Sequence, residues 1–94
     1  MPLFLDIHQH VPGLTKEAVE EAHAKDLEIQ DNYNVRYLKY WYDTESGKIF
    51  CLVEAPDKES ANRVHRESHG LVADEIIEVV EGNVEVPAED QASL

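Results

Sequence analysis

Apolar and polar residues alternate from the start of the chain. Residues 3–7, LFLDI, read as a strand that sets Leu3, Leu5 and Ile7 on one face. Phe4, Asp6, His8 and His10 fall on the other. Val11-Pro12-Gly13 breaks the run. Thr15 then suits a helix N-cap, Leu14 the staple residue before it, and Glu17 the positive end of the helix dipole. Ala18, Val19, Ala22, Asp26, Ile29 and Tyr33 recur at helical spacing with His23 beside the stripe, and the helix ends near Asn32-Tyr33-Asn34.

Residues 35–43, VRYLKYWYD, are β-branched and aromatic, and residues 48–55, KIFCLVEA, repeat the character after a TESG turn. Together they predict a β-hairpin. Pro56 closes the second strand, Asp57 caps a helix running from Lys58 to about His69, and Gly70 stops it. Residues 75–81, EIIEVVE, form a last strand. The order β-α-β-β-α-β predicts an α+β, ferredoxin-like sandwich: a four-stranded antiparallel sheet with both helices on one face. It occupies residues 1–82, and residues 83–94 read as a loose, polar, acidic tail.

Two helices leave one sheet face bare. The alternation assigns Phe4 to that face, along with a choice among Tyr37, Trp41, Phe50 and Leu52. A second copy packed sheet to sheet is the simplest cover, so a homodimer is expected.

Charge narrows the partners. The 94 residues carry 20 acidic and 8 basic side chains, a net charge of −12. Such a chain is repelled by phosphate backbones and anionic lipid, so neither nucleic acid nor membrane is expected as a partner. The single cysteine, Cys51, excludes an internal disulfide and a thiolate-rich zinc site. Neither a signal peptide nor an apolar span is recognisable, so a cytoplasmic location is expected.

Histidine carries the chemistry. Asp6, His8 and His10 step along one strand face at about 6.6–7 Å, and two imidazoles so placed can reach one borderline cation. The bland alternative is a solvated strand end. If the first and third strands run parallel at the sheet centre, as expected, Glu54 lies beside His8 or His10 and adds an oxygen. His65 and His69, at i and i+4, share a helix face and can chelate a metal, or can simply end a solvated helix. The second helix is expected to run away from the first strand, with its histidines roughly 10–18 Å along it. On that reading the two pairs do not meet within one subunit. His23 and Asp26 form a third polar pair, orienting a neighbour or supporting a metal ligand. Cys51 reads as a small buried hydrophobe, although its thiolate would favour soft ions.

The motifs also occur together. A D-x-H strand and an A-H-A-x-D helix precede a hairpin carrying R-Y-L-x-Y-W and F-C-L-x-E-A-P. A helix ending V-H-R-E-x-H-G and then A-D-E-I follow. In this order they resemble a family of small bacterial proteins, long catalogued as a domain of unknown function and now named for a nickel-binding actinobacterial member. The resemblance runs over residues 1 to about 82 and implies a dimeric ferredoxin-like α/β barrel binding nickel or a similar ion. It maps the family's motif positions onto Asp6, His8, His23, Asp26, Cys51, Glu54, His65 and His69. His10 falls in a more variable stretch.

The expected function is transition-metal binding, nickel before zinc or copper, in sequestration, homeostasis or sensing. The candidate ligands are Asp6, His8, His10, His23, Glu54, His65 and His69. Asp6 and His8 are expected to face the dimer interior. The alternative is a small-molecule binder or enzyme that uses a cavity between the two sheets, with His8 or Glu54 as base. No phosphate loop, nucleophile elbow or CxxC is present, and no catalytic trio can be assembled.

Overall fold

Burial along the first strand alternates as the sequence does. In the computed structural model, which describes residues 1–82, β1 (Leu3–His8) buries Phe4, Asp6 and His8 and leaves Leu3, Leu5 and Ile7 half-covered. Thr15 caps α1 (Lys16–Ile29), its hydroxyl accepting the Ala18 amide at 3.1 Å. A 3-10 turn (Gln30–Tyr33) continues the helix, and Asn34 ends it at φ 58°. The hairpin strands are β2 (Arg36–Asp43) and β3 (Lys48–Glu54). Asp57 caps α2 (Lys58–Ser68), and β4 (Glu75–Val79) closes the fold. The tail expected at residues 83–94 lies outside the described residues.

The sheet runs β2-β3-β1-β4 with every pair antiparallel, and both helices cover the face that carries the buried residues. The ferredoxin-like α+β architecture is therefore present. Phe4, Val19, Val35, Tyr37, Ile49, Cys51, Val53, Ala55, Ala61 and Val64 form the core between helices and sheet.

Two expectations are corrected here. β1 and β3 are antiparallel, not parallel: Leu3 lies opposite Glu54 and His8 opposite Ile49. In a βαββαβ chain the hairpin reverses direction before the third strand, which makes this pairing necessary. The second correction concerns faces. Phe4, Asp6, His8 and Tyr37 lie on the helix side, not the open side. Trp41, Phe50 and Leu52 are on the open face, as register shows by pairing Ile7 with Phe50, Phe50 with Trp41, and Leu5 with both Leu52 and Ile77.

Candidate metal centre

Strand direction assembles the site. Because β3 ends beside the start of β1, α2 begins there too, with the Ala55 amide donating to the Pro2 carbonyl at 3.2 Å. The helix then runs back over the sheet toward His8. Seven residues at about 1.5 Å each carry His65 roughly 10 Å from the helix start, which is the distance along β1 from Leu3 to Asp6. The helical offset that was expected to separate the histidines is what brings them together in one subunit.

Register completes the floor. Asp6 is paired with Cys51 on one side and Ile76 on the other, so the carboxylate and thiol are cross-strand neighbours. From α1, Asp26 takes an inward position in the stripe otherwise held by Val19, Ala22 and Ile29.

The result is a polar cluster inside the core. Asp6 is 0% exposed, His65 1%, Asp26 3% and His8 5%. His65 lies between two carboxylates: its Nε2–H donates to Asp6 Oδ2 at 2.9 Å and its Nδ1–H to Asp26 Oδ1 at 3.0 Å. Tyr37 donates its hydroxyl to Asp6 Oδ2 at 3.1 Å, and Ser68 donates to Asp26 Oδ1 at 2.6 Å. His8 Nε2 is 3.5 Å from Asp6 Oδ1, and His69 Nε2 is 3.1 Å from Asp26 Oδ1.

Electrostatics follow the geometry. Burial pulls the His65 imidazole down, but the bonds and charges of Asp26 and Asp6 outweigh it and raise it to about 9. Burial would lift the Asp6 carboxyl, yet His65 and His8 hold it at about 2. Asp26 is likewise held well below the usual carboxylate range by His65 and His69 against its burial. Burial, with the Asp6 charge, pushes the Cys51 thiol up. His23, on the rim, is lowered by partial burial. Without metal, His65 is thus an imidazolium neutralising one of two buried carboxylates.

Two groups of potential ligands share His65. Asp6, His8, Cys51 and His65 offer atoms within 4.8 Å of one another, as do Asp26, His65 and His69. The first fits an ion better. Its Asp6 Oδ1 is fully buried without a hydrogen-bond partner, a cost that a cation would remove. In the second, the Leu71 amide donates to His69 Nδ1 at 3.1 Å. The His69 proton therefore sits on Nε2, facing Asp26, where a metal would need a lone pair. A nitrogen, nitrogen, oxygen and sulfur donor set suits borderline ions such as nickel, zinc and copper. Beside it lies a cavity of about 30 Å³, lined by His8, His23, Cys51, His65 and His69 among others, with room for a solvent molecule or an ion.

Not all candidates converge. Glu54, opposite Leu3, is on the open face and about 17 Å along the strand from His8. His10 is exposed beyond the strand, its Nδ1 3.2 Å from the Ser46 carbonyl. His23 lines the cavity and packs against Tyr40 in a tilted arrangement, ring centres 4.6 Å apart. Sequence reasoning passed over Tyr37 and Ser68 as parts of the site, and it left Cys51, a motif position by resemblance, out of the candidate ligands. An aspartate within the apolar stripe of α1 was the available sign of a buried carboxylate; the Asp6–Cys51 pairing needed the register.

Comparison with known proteins points the same way. A family model described as nickel responsive protein SCO4226-like matches residues 4–79, which contain every residue of the cluster. The crystal structure of SCO4226 from Streptomyces coelicolor A3(2) is similar at a TM-score of 0.79 and 40% identity, covering 86% of this chain and 99% of that one. No curated protein matches the chain.

Proposed function

The chain belongs to the SCO4226-like family of nickel responsive proteins, and from that membership we propose that it binds a transition-metal ion to sequester or sense it. Nickel is the first choice, with zinc and copper next. One observation carries the reading: a fully buried carboxylate with an unpartnered oxygen, ringed by two imidazoles and a thiol. A buried carboxylate oxygen with no donor is costly, and a cation would offset that cost, so the arrangement is best understood as a seat for a cation.

Asp6 Oδ1, His8, Cys51 and His65 Nε2 would hold the ion. Its entry displaces the His65 Nε2 proton and, when the sulfur coordinates, the Cys51 proton. Asp26 keeps the remaining Nδ1–H, the carboxylate–histidine pairing that fixes ring orientation at metal sites. Ser68 and His69 hold Asp26 in place. Nitrogen-rich sites favour copper over nickel by intrinsic affinity, so preference for nickel would come from geometry and supply.

The molecule is proposed to act as a homodimer in the cytoplasm. Leu3, Leu5, Ile7, Phe50 and Leu52 form an apolar strip on the open face, and Trp41 beside them is 51% exposed. A second copy packed sheet to sheet would bury this strip. The cluster faces the helices, so the dimer would protect the fold without supplying ligands. Of the two bases considered for an inter-sheet cavity, His8 lies on the helix side and Glu54 on the open face.

Calorimetry of tag-free protein with nickel tests the assignment. The native chain is expected to bind, and the His8→Ala, His65→Ala double variant to lose that binding. Unchanged binding in the double variant contradicts the assignment.

A further inference from the structure

Asp6 has two oxygens, and only one is free. Both donors that reach it, the Tyr37 hydroxyl at 3.1 Å and His65 Nε2 at 2.9 Å, converge on Oδ2. Oδ1 is left buried and unpartnered on the His8 side. When a metal takes the His65 Nε2 lone pair, that nitrogen can no longer donate to Oδ2. Tyr37 is then the remaining donor on that oxygen among the hydrogen bonds observed.

Tyr37 is built into this position. It is buried, with its ring 4.7 Å from that of His65, and its hydroxyl also lies 3.2 Å from the Ala61 carbonyl of α2. Its direction depends on a local irregularity. Tyr37 pairs with Val53, Lys39 with Leu52 and Tyr40 with Cys51, so β2 spends one extra residue, Leu38, between Tyr37 and Lys39. Strict alternation would send Tyr37 and Tyr40 to opposite faces. The bulge turns both toward the helices, Tyr37 onto Asp6 and Tyr40 onto the cavity mouth.

We propose that Tyr37 is the positioning residue of the metal centre: it holds Asp6 by Oδ2 so that Oδ1 alone meets the ion. Asp6 is thereby a one-oxygen ligand, which keeps coordination low and leaves room for the imidazoles and the sulfur. A carboxylate released from Tyr37 can rotate and offer both oxygens, as harder, higher-coordinate ions prefer. This inference rests on the metal reading above and adds a residue to it.

The test uses cobalt(II), a spectroscopic stand-in for nickel or zinc, on tag-free native, Tyr37→Phe, Asp6→Asn and doubly substituted chains. Tyr37→Phe is expected to fold, by circular dichroism, and to bind about tenfold more weakly, the usual scale for losing an outer hydrogen bond at a metal site. Its visible cobalt bands should weaken as coordination rises. In the Asp6→Asn background the same change should have no further effect. Unchanged affinity and spectrum in Tyr37→Phe overturn the inference alone, as does an equal loss in the Asp6→Asn background. A native chain whose cobalt spectrum is insensitive to Asp6→Asn overturns both this inference and the metal site. Should Tyr37→Phe fail to fold, the crystal structure of the native chain with metal decides. Asp6 bound through Oδ1 with Tyr37 on Oδ2 supports the inference, and a two-oxygen Asp6 overturns it.

Discussion

His65 concentrates the physics of this protein in one side chain. An imidazolium between two buried carboxylates stabilises the metal-free fold over a definite pH range. Its pKa is raised to about 9 from an ordinary 6.5, so its contribution is complete below pH 6.5 and is lost as pH rises through 9. Asp6 is lowered from 3.8 to about 2, so its contribution is complete above pH 3.8 and lost as pH falls through 2. Metal-free protein should therefore be most stable between these limits and should weaken by about 3 kcal/mol toward pH 10. Thermal unfolding in chelator at pH 5.5, 7.5 and 9.5 measures this, and a flat profile would contradict the ion pair. Metal affinity should move the other way. A proton held to about pH 9 competes with the ion above the ordinary histidine range, so affinity should keep rising past pH 7.

Elements explain which parts of this arrangement the sequence discloses. Both helices, the hairpin and the first and last strands follow from Thr15, Asp57, Gly70 and the spacing of apolar residues, and they are found within a residue or two. Those signals are local, so one sequence carries them. Asp6, His8, His65 and His69 were also legible as ligand types at ligand spacing. Their convergence was not, because it depends on the direction of β3 relative to β1, which decides whether α2 approaches His8 or leaves it. Cys51 beside Asp6 depends on register, and Tyr37 on a one-residue bulge at Leu38. Neither feature leaves a mark in local composition. Which face the helices cover reversed the expected burial of Phe4, because an alternating strand gives two faces without saying which one is inside.

For the molecule as a whole, the sheet divides two tasks. Its inner face holds the polar cluster under two helices, and its outer face carries the apolar strip that the proposed dimer would cover. Separating them means that assembly and metal binding should be separable by mutation. Trp41→Glu places a charge in the apolar strip and should convert a dimer to a monomer by light scattering, while nickel affinity stays within a fewfold of native. A native chain that is monomeric at high concentration would contradict the dimer. Loss of metal binding with the dimer would show that the partner completes the site. Among the described residues no helix is long and apolar enough to cross a membrane.

One buried cluster, and not the exposed acidic surface, is proposed to receive the metal. Anomalous diffraction at the nickel edge from crystals of tag-free protein tests it most directly. The predicted result is a peak about 2.0–2.3 Å from Asp6 Oδ1, a His8 nitrogen and His65 Nε2. Peaks confined to exposed groups such as His10, with Asp6 Oδ1 still bare, would contradict it.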